Sequence, residues 1–210
     1  MSTPQLKLIA LILILLIVGM SSLVLNQEQY AGNTRVYAEI PDSPTPTPTV
    51  IVPEPVETEL MDSPDGTKTL TMERQKTGNR VKYSFFTSSD SKERYIIYTK
   101  TLGTLQRFSI PFNTWSPDNT YFFVKESTPA RNNYYVFLAS GEKFSNDAPY
   151  LDIQPLFEDK VNGYVITDVT GWAAPTLLIV NTQKQDGEEK MSFWFDITSQ
   201  SFIRLGTYFE

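Results

Sequence analysis

After Leu60 the hydrophobic pattern alternates residue by residue or runs continuously over a few positions, without a sustained helical period. β-Branched and aromatic residues dominate these segments, and turn-forming residues separate them. The pattern predicts ten strands, at 67–74, 81–87, 94–101, 106–110, 120–125, 134–139, 164–169, 176–182, 190–196 and 201–205. Ten strands within residues 61–210 indicate one all-β domain.

The N-terminal region contains an uninterrupted apolar run. From Leu8 to Leu25 there are eighteen residues without a charged side chain. A helix of that length spans about 27 Å, close to the thickness of the bilayer hydrocarbon core. Lys7 precedes the run and Glu28 follows it. Because positive charge stays on the cytoplasmic side, the sequence predicts a single-pass anchor over 1–26, with the N-terminus cytoplasmic and the rest of the chain extracytoplasmic.

A cleavable signal peptide is the alternative interpretation of the apolar run. Cleavage needs small residues at the third and first positions before the cut, and the nearest candidate is Val36-Tyr37-Ala38, eleven residues beyond Leu25. The long run and this distance favour a retained anchor, whereas cleavage would create a new N-terminus near residue 39. A lipid-anchored N-terminal cysteine is excluded because the chain has no cysteine.

Residues 27–60 are predicted to form an extended linker. Six prolines occur between residues 41 and 60, at positions 41, 44, 46, 48, 53 and 55. Proline fixes φ and lacks an N–H group, so this density favours a polyproline II conformation that rises about 3.1 Å per residue. Such a spacer would hold the domain about 40 to 60 Å from the membrane. Val50-Ile51-Val52 is a candidate for an additional edge strand.

A repeat runs through the predicted domain. Residues 61–66 read MDSPDG before a strand, and residues 114–119, 53 positions later, read TWSPDN before another. A third copy at 171–175 keeps a tryptophan and a displaced proline. Several strands per unit at this period point to propeller blades or a related tandem array. The residues of the motif are Ser63, Pro64, Asp65, Gly66, Trp115, Ser116, Pro117, Asp118, Asn119 and Trp172.

These motifs resemble the TolB-like, WD-like β-propeller repeat, in which a Trp-Ser-Pro-Asp-Gly turn precedes a blade strand. A strand, polar turn and strand also end each unit, at 95–108, 134–144 and 193–205. The resemblance covers residues 61–205 and implies an incomplete or atypical β-propeller-like array of about three antiparallel blades. It also implies a structural role for the motif. Proline presets φ in the turn, while Gly66 or Asn119 takes the left-handed conformation, and Trp115 and Trp172 pack between blades.

Three blades are fewer than a closed ring requires, because propellers have four to eight. The two terminal sheets would then expose apolar faces, which is costly in water. Three ways of covering them are open: sandwich-like packing of the three sheets, a fourth unit within 150–169, or closure by a second chain. A compact monomer with 147–159 as a covering loop is favoured, and a homodimer is the alternative.

The chain contains neither cysteine nor histidine. This excludes thiol chemistry, disulfides, and triads that depend on an imidazole base, and it leaves no ordinary zinc or copper site. No Gly-x-Ser-x-Gly nucleophile motif is present. Residues 61–210 carry 16 basic and 18 acidic side chains without a basic cluster, which argues against nucleic-acid binding. The sequence predicts no catalytic residues, no cofactor and no metal site.

Two sets of acidic residues are candidate sites. Asp62, Asp65 and Asp118 are oxygen ligands of the kind that calcium takes, but their spacing resembles no calcium loop, so capping of turns is favoured. A second, loose group could provide paired carboxylates for acid–base chemistry. A solvated loop is the favoured interpretation of that group, which consists of Asp147, Asp152, Glu158 and Asp159.

The sequence therefore predicts a membrane-anchored interaction module that binds an envelope or surface protein and has no catalytic activity. The alternative, implied by the repeats that lie beside the hydrolase domain of prolyl-peptidase relatives, is an accessory domain for an exported hydrolase or envelope complex supplied by a separate chain. An enzyme that works with carboxylates alone is a third and weaker interpretation.

Overall fold

The computed structural model describes residues 55–89 and 94–209. All described residues belong to the second of two units of the chain, Ile51–Glu210. The predicted anchor, most of the predicted linker and the candidate edge strand at 50–52 lie outside the described residues. Among the described residues, no helix is long and apolar enough to cross a membrane.

The second unit consists of three antiparallel sheets of four strands each, which confirms the prediction of an all-β domain. In each sheet, strands that follow one another in the chain are neighbours. The first sheet contains β1 (Glu57–Asp62), β2 (Lys68–Thr77), β3 (Arg80–Ser89) and β4 (Arg94–Gly103). The second contains β5 (Arg107–Ser109), β6 (Tyr121–Ser127), β7 (Asn132–Leu138) and β8 (Leu151–Asp152). The third contains β9 (Tyr164–Ala174), β10 (Leu177–Lys184), β11 (Lys190–Asp196) and β12 (Ser201–Arg204).

Each of the ten predicted strands corresponds to an observed one, because alternating apolar residues and turn signals are local properties of the chain. Two strands were missed. β1 lies in a segment of glutamate and threonine at the end of the predicted linker, so the linker prediction is wrong from Glu57 onward. β8 is only two residues long and gives no periodic signal.

The three sheets are stacked, with the second between the other two. One cluster of buried side chains joins the first and second sheets through residues such as Leu70, Phe85 and Phe122. A separate cluster joins the second and third sheets through residues such as Phe123 and Val180. Because Phe122 and Phe123 point to opposite faces of β6, the middle sheet is buried on both sides. Its aromatic runs are explained by this double burial.

Residues 150–163 contain no fourth sheet. After β8 the chain forms a helix, α1 (Ile153–Lys160), and the Asp152 carboxylate accepts a hydrogen bond from the Gln154 N–H at its start. The helix is amphipathic and buries Ile153 and Phe157 in the second cluster. The expectation of a covering loop over 147–159 is therefore wrong for the part that forms α1.

Two of the three predicted terminal hairpins are also wrong. β4 and β5 belong to different sheets, so the segment at 95–108 is a crossing between sheets. After Ser140-Gly141 the chain continues without strand structure as far as β8. Only the third segment forms a hairpin, in which β11 pairs with β12.

Candidate functional site

The first copy of the repeated turn is held by the side chains of Ser63 and Asp65. The Ser63 hydroxyl donates to the Asp65 carboxylate (2.8 Å) and accepts from the Lys68 N–H (3.0 Å). The same carboxylate oxygen accepts from the backbone N–H (2.9 Å) and hydroxyl (2.8 Å) of Thr67. Gly66 follows Asp65 with φ 73°, the left-handed conformation that returns the chain into β2. Pro64 lies inside this turn.

The second copy repeats these bonds 53 residues later. The Ser116 hydroxyl donates to the Asp118 carboxylate (2.6 Å) and accepts from the Tyr121 N–H (2.9 Å). Asp118 also accepts from the N–H (3.2 Å) and hydroxyl (2.7 Å) of Thr120. Asn119 takes the place of glycine with φ 58°, and Pro117 takes the place of Pro64. The two turns are therefore equivalent in bonding as well as in sequence.

These hydrogen bonds lower the pKa of both turn carboxylates. The backbone N–H and hydroxyl of Thr67, together with the Ser63 hydroxyl, lower the pKa of Asp65. Burial alone would raise the pKa of Asp118, but hydrogen bonds from Ser116 and Thr120 outweigh it, so this pKa also lies below its ordinary value. Each carboxylate therefore stays ionised and keeps accepting hydrogen bonds at neutral pH.

The two repeat tryptophans bridge neighbouring sheets in the same way. The Trp115 indole N–H of the second sheet's turn donates to the Met61 carbonyl of the first sheet (3.0 Å). The Trp172 indole N–H of the third sheet donates to the Thr114 carbonyl (3.1 Å), and Thr114 occupies the position of Met61 in the second copy. In the first copy the tryptophan position is Asp62, whose carboxylate accepts from the Thr69 hydroxyl (2.7 Å).

The third copy keeps its tryptophan within β9 rather than in a turn. Gly171 precedes it with φ 143°, and a Cβ atom added there would lie 2.8 Å from the Asn113 Cβ. Backbone of the third sheet therefore approaches the second sheet too closely for any side chain at this position. The displaced proline is Pro175, between β9 and β10.

The acidic candidates are placed apart. Among the residues that the structure describes, no group of three or more acidic side chains could hold a metal ion. In the loose acidic group, Asp147 pairs with Lys143 (2.9 Å) and Glu158 with Arg131 (3.0 Å). Asp152 caps α1, and burial raises its pKa. These carboxylates have structural partners rather than a shared site.

Polar bridges that the sequence did not reveal cross both sheet interfaces. Between the first and second sheets, buried Glu126 pairs with the Lys100 ammonium (2.8 Å) and accepts from the Tyr135 hydroxyl (2.6 Å). Burial and the hydrogen bond to Glu126 raise the pKa of Tyr135. Its hydroxyl therefore stays protonated and donates this hydrogen bond. Between the second and third sheets, the Tyr134 hydroxyl donates to Asp168 (2.7 Å). Partners this far apart in sequence leave no local signal.

The outer face of the first sheet is polar where the equivalent faces are apolar. Phe122 and Val124 of β6 lie in the cluster that contacts the first sheet. The residues 53 positions earlier are Thr69 and Thr71, which are partly exposed on the face turned away from the second sheet. The first sheet therefore carries threonine where a further sheet would require apolar contacts.

An apolar row nevertheless crosses this outer face. The strand register aligns Leu60, Thr71, Phe86 and Ile96 across β1 to β4. Leu60 and Ile96 are each 62% exposed. The Arg94 guanidinium lies 3.6 Å above the Phe86 ring. The exposed Leu60 and Ile96 thus flank Thr71 and the half-buried Phe86 on a polar face, which makes this row a candidate interaction surface.

A cleft of about 490 Å³ opens on the opposite face of the first sheet, which faces the second sheet, between the edge strands β1 and β5. Tyr83 and Phe108 meet edge to face in it, with ring centroids 5.4 Å apart. Glu57 forms an ion pair with Arg74 (3.1 Å) at its border. The residues that line the cleft are Glu57, Thr58, Glu59, Met72, Arg74, Tyr83, Arg107, Phe108 and Ser109.

The outer face of the third sheet is partly covered by the C-terminal segment. The Phe209 N–H donates to the Ser192 hydroxyl (2.9 Å), and the Asn181 amide donates to the Phe209 carbonyl. The buried Ser192 hydroxyl in turn donates to the Asn181 side-chain carbonyl (2.6 Å). Polar residues and this segment thus end the stack at its other side.

Comparison of the chain with known protein families and with curated proteins found no match.

Proposed function

We propose that the chain is a membrane-anchored, extracytoplasmic module that binds an envelope or surface protein and has no catalytic activity. Its three sheets are propeller-like blades of the TolB-like type, and the array ends at both terminal sheets rather than closing into a ring. The observation that carries the proposal is the row of Leu60, Phe86 and Ile96 on the outer face of the first sheet, in which Leu60 and Ile96 are exposed and Phe86 is half-buried.

Contacts between the repeats support the blade assignment. The same Ser–Asp bonds hold the turns at 63–66 and 116–119. The indoles of Trp115 and Trp172 make equivalent bonds to the preceding sheet. Such repetition is expected when successive units are built and stacked alike.

The candidate carboxylates form structural hydrogen bonds and an ion pair, which supports a non-catalytic role. Asp65 and Asp118 hold turns, Asp152 caps a helix, and Glu126 is paired at a sheet interface. Without histidine or cysteine, general-base chemistry would depend on carboxylates, lysine or tyrosine, and these carboxylates already have structural partners. A binding role requires only the surface.

Site-specific photo-crosslinking in intact cells tests the binding role. A photoreactive residue at Ile96, on the apolar row, should give a defined adduct with one other protein. The same residue at Glu188, in the exposed turn between β10 and β11, serves as the control and should not. Absence of any adduct from Ile96 would contradict the proposal, and an adduct with an exported hydrolase would favour the accessory-domain role.

Protease treatment tests the topology. The apolar run from Leu8 to Leu25 and the preceding Lys7 support a domain outside the cell. Protease added to intact cells should remove the domain and leave a small membrane-bound fragment. A released domain with an N-terminus near residue 39 would show instead that the segment is cleaved.

A further inference from the structure

The open edge of β1 presents unpaired backbone groups. The Ser63 N–H donates to the Lys68 carbonyl of β2 (2.8 Å). The backbone N–H and C=O groups of successive residues point to opposite sides of a strand. Those of Met61, Glu59 and Glu57 therefore also point toward β2. Thr58 and Leu60 then direct their N–H and C=O groups to the open edge. Within the part of the chain that the structure describes, no strand pairs with this edge.

Among the edge strands of the described residues, β1 alone combines more than four residues with an uninterrupted register. Its register with β2 runs without interruption over six residue pairs. β9, the corresponding edge of the third sheet, has three register shifts, and β5 has only three residues. Bulges and short length protect an edge from pairing with another chain. β1 lacks both protections.

The cleft beside this edge gives room for the side chains of an added strand. Side chains of β1 on the cleft side are those of Glu57 and Glu59, and the floor includes Met72, Tyr83 and Phe108. A strand paired with β1 would direct every second side chain toward the same side. Arg74 pairs with Glu57 (3.1 Å) and Arg107 also lines the cleft, whereas Glu59 has no ion-pair partner among the described residues. A long side chain with an apolar stem and a cationic end matches the apolar floor beside Glu59.

The charge of β1 indicates which kind of segment could pair with its open edge. β1 carries Glu57, Glu59 and Asp62 and no basic residue. A second copy of β1 would bring the same three carboxylates, and like charges across a strand pair are destabilising. Residues 41–55 of this chain contain six prolines, which cannot donate backbone hydrogen bonds. A basic segment of another protein satisfies both the charge and the hydrogen bonds.

We propose that β1 accepts an extended, basic segment of a partner protein as a fifth strand of the first sheet. The Leu60 N–H and C=O bond to the backbone of that segment, and a lysine or arginine opposite Glu59 lies over the cleft. This inference rests on the proposed binding function and identifies the chemistry of its ligand. It uses the edge of the first sheet, which adjoins the exposed row at Leu60.

Fluorescence anisotropy with the full chain in detergent tests this proposal. The probe is a labelled, capped seven-residue peptide in which lysine alternates with valine. Leu60→Pro removes the outward N–H, whereas Leu60→Ala removes only the side chain, so the two form a matched pair. We expect Leu60→Pro to weaken binding about tenfold and Leu60→Ala to change it by less than about threefold, since one backbone bond is lost only in the first.

Two further comparisons separate strand addition from simple charge attraction. Methylation of the peptide's amide nitrogens on the edge that faces β1 should weaken binding about as much as Leu60→Pro, because it removes the same type of bond. Glu59→Lys should also weaken it. Circular dichroism of each variant verifies that the sheets remain intact.

The outcomes distinguish this inference from the proposed function. No saturable binding of the lysine–valine peptide, or equal binding by Leu60→Pro and Leu60→Ala, would overturn strand addition. Equal binding of the methylated peptide would do the same. A protein adduct from Ile96 would still support the binding module in these cases, because that crosslink reports on the outer face and not on the edge of β1.

Discussion

At the scale of single residues, the repeated turn depends on one hydroxyl and one carboxylate. Ser63 and Ser116 each bond the N–H that begins the next strand, and Asp65 and Asp118 each bond the residue two positions on. Satisfying these backbone groups locally fixes where β2 and β6 begin. The motif therefore sets the residue at which the following strand, β2 or β6, begins.

The turn carboxylates give a testable dependence of stability on pH. Their folded-state pKa values lie below the ordinary value of 3.8. Their contribution is therefore present above pH 3.8 and is lost as the pH falls through the lower, folded-state values. We expect the double variant Asp65→Asn and Asp118→Asn to be less stable than the wild type at neutral pH, with a shallower loss of stability in acid.

Urea unfolding of the unit Ile51–Glu210 over a pH series measures this effect. The variant Asp147→Asn, in which the changed carboxylate is exposed and outside the turns, is the control and should follow the wild type closely. Stability curves of wild type and double variant that stay parallel in acid would contradict the role assigned to these carboxylates.

The tryptophan bridge provides a second prediction at this scale. Trp172→Phe removes the indole bond to the Thr114 carbonyl and should lower the free energy of unfolding by about 1 kcal/mol from that bond, with a further loss from reduced packing. Trp194→Phe is the matched control, because the Trp194 indole N–H has no hydrogen-bond partner among the described residues. Denaturant unfolding compares them. A cost for Trp194→Phe as large as that for Trp172→Phe would argue against the bridge.

At the scale of elements, α1 stabilises the second interface although it interrupts an otherwise β-structured chain. Phe157 is fully buried and meets Phe193 and Phe202 edge to face, at 5.5 and 5.1 Å between ring centroids. Ile153 lies one turn earlier on the same side of the helix. The helix therefore completes the core between the second and third sheets.

Truncation of Phe157 tests this role. Phe157→Ala should destabilise the unit by about 3 to 5 kcal/mol, as removal of a buried aromatic side chain does. Asp159→Ala, on the exposed side of the same helix, should change stability by less than about 0.5 kcal/mol. Thermal and urea unfolding would reveal the difference. Similar effects of the two substitutions would mean that α1 contributes little to the core.

At the scale of the whole molecule, polar residues end the stack of sheets. Thr69 and Thr71 stand where Phe122 and Val124 of the second sheet make apolar contacts. Asp62 also stands where a tryptophan would bridge to a preceding sheet. Terminal repeats with polar outer faces keep stacked arrays soluble and prevent further stacking of like sheets. We therefore expect a monomer.

Restoring the apolar pattern should change the oligomeric state. The variant Thr69→Phe with Thr71→Val copies the stacking face of the second sheet and should associate at micromolar concentration. The wild-type unit and the control Thr69→Ser with Thr71→Ser should remain monomeric in light scattering. A stable wild-type dimer would refute the capped monomer and favour closure by a second chain.

The strands with strong apolar alternation could be located from the sequence, because that alternation and the turn residues act over a few positions. The turns at Gly66 and Asn119 were identifiable for the same reason. β1 and α1 were not found. β1 is polar and is held by pairing with β2, while α1 has only eight residues and depends on burial of Phe157.

By itself the sequence therefore determined the all-β class, the positions of most strands and the equivalence of the two Ser–Pro–Asp turns. Only the tertiary structure decided which faces are stacked, which are capped, and where β1 and its cleft lie. The physical reason is the distance along the chain between the partners. Trp115 bonds Met61 and Trp172 bonds Thr114, each more than fifty residues away. Such pairs are selected by the packing of whole sheets and leave no local pattern in the chain.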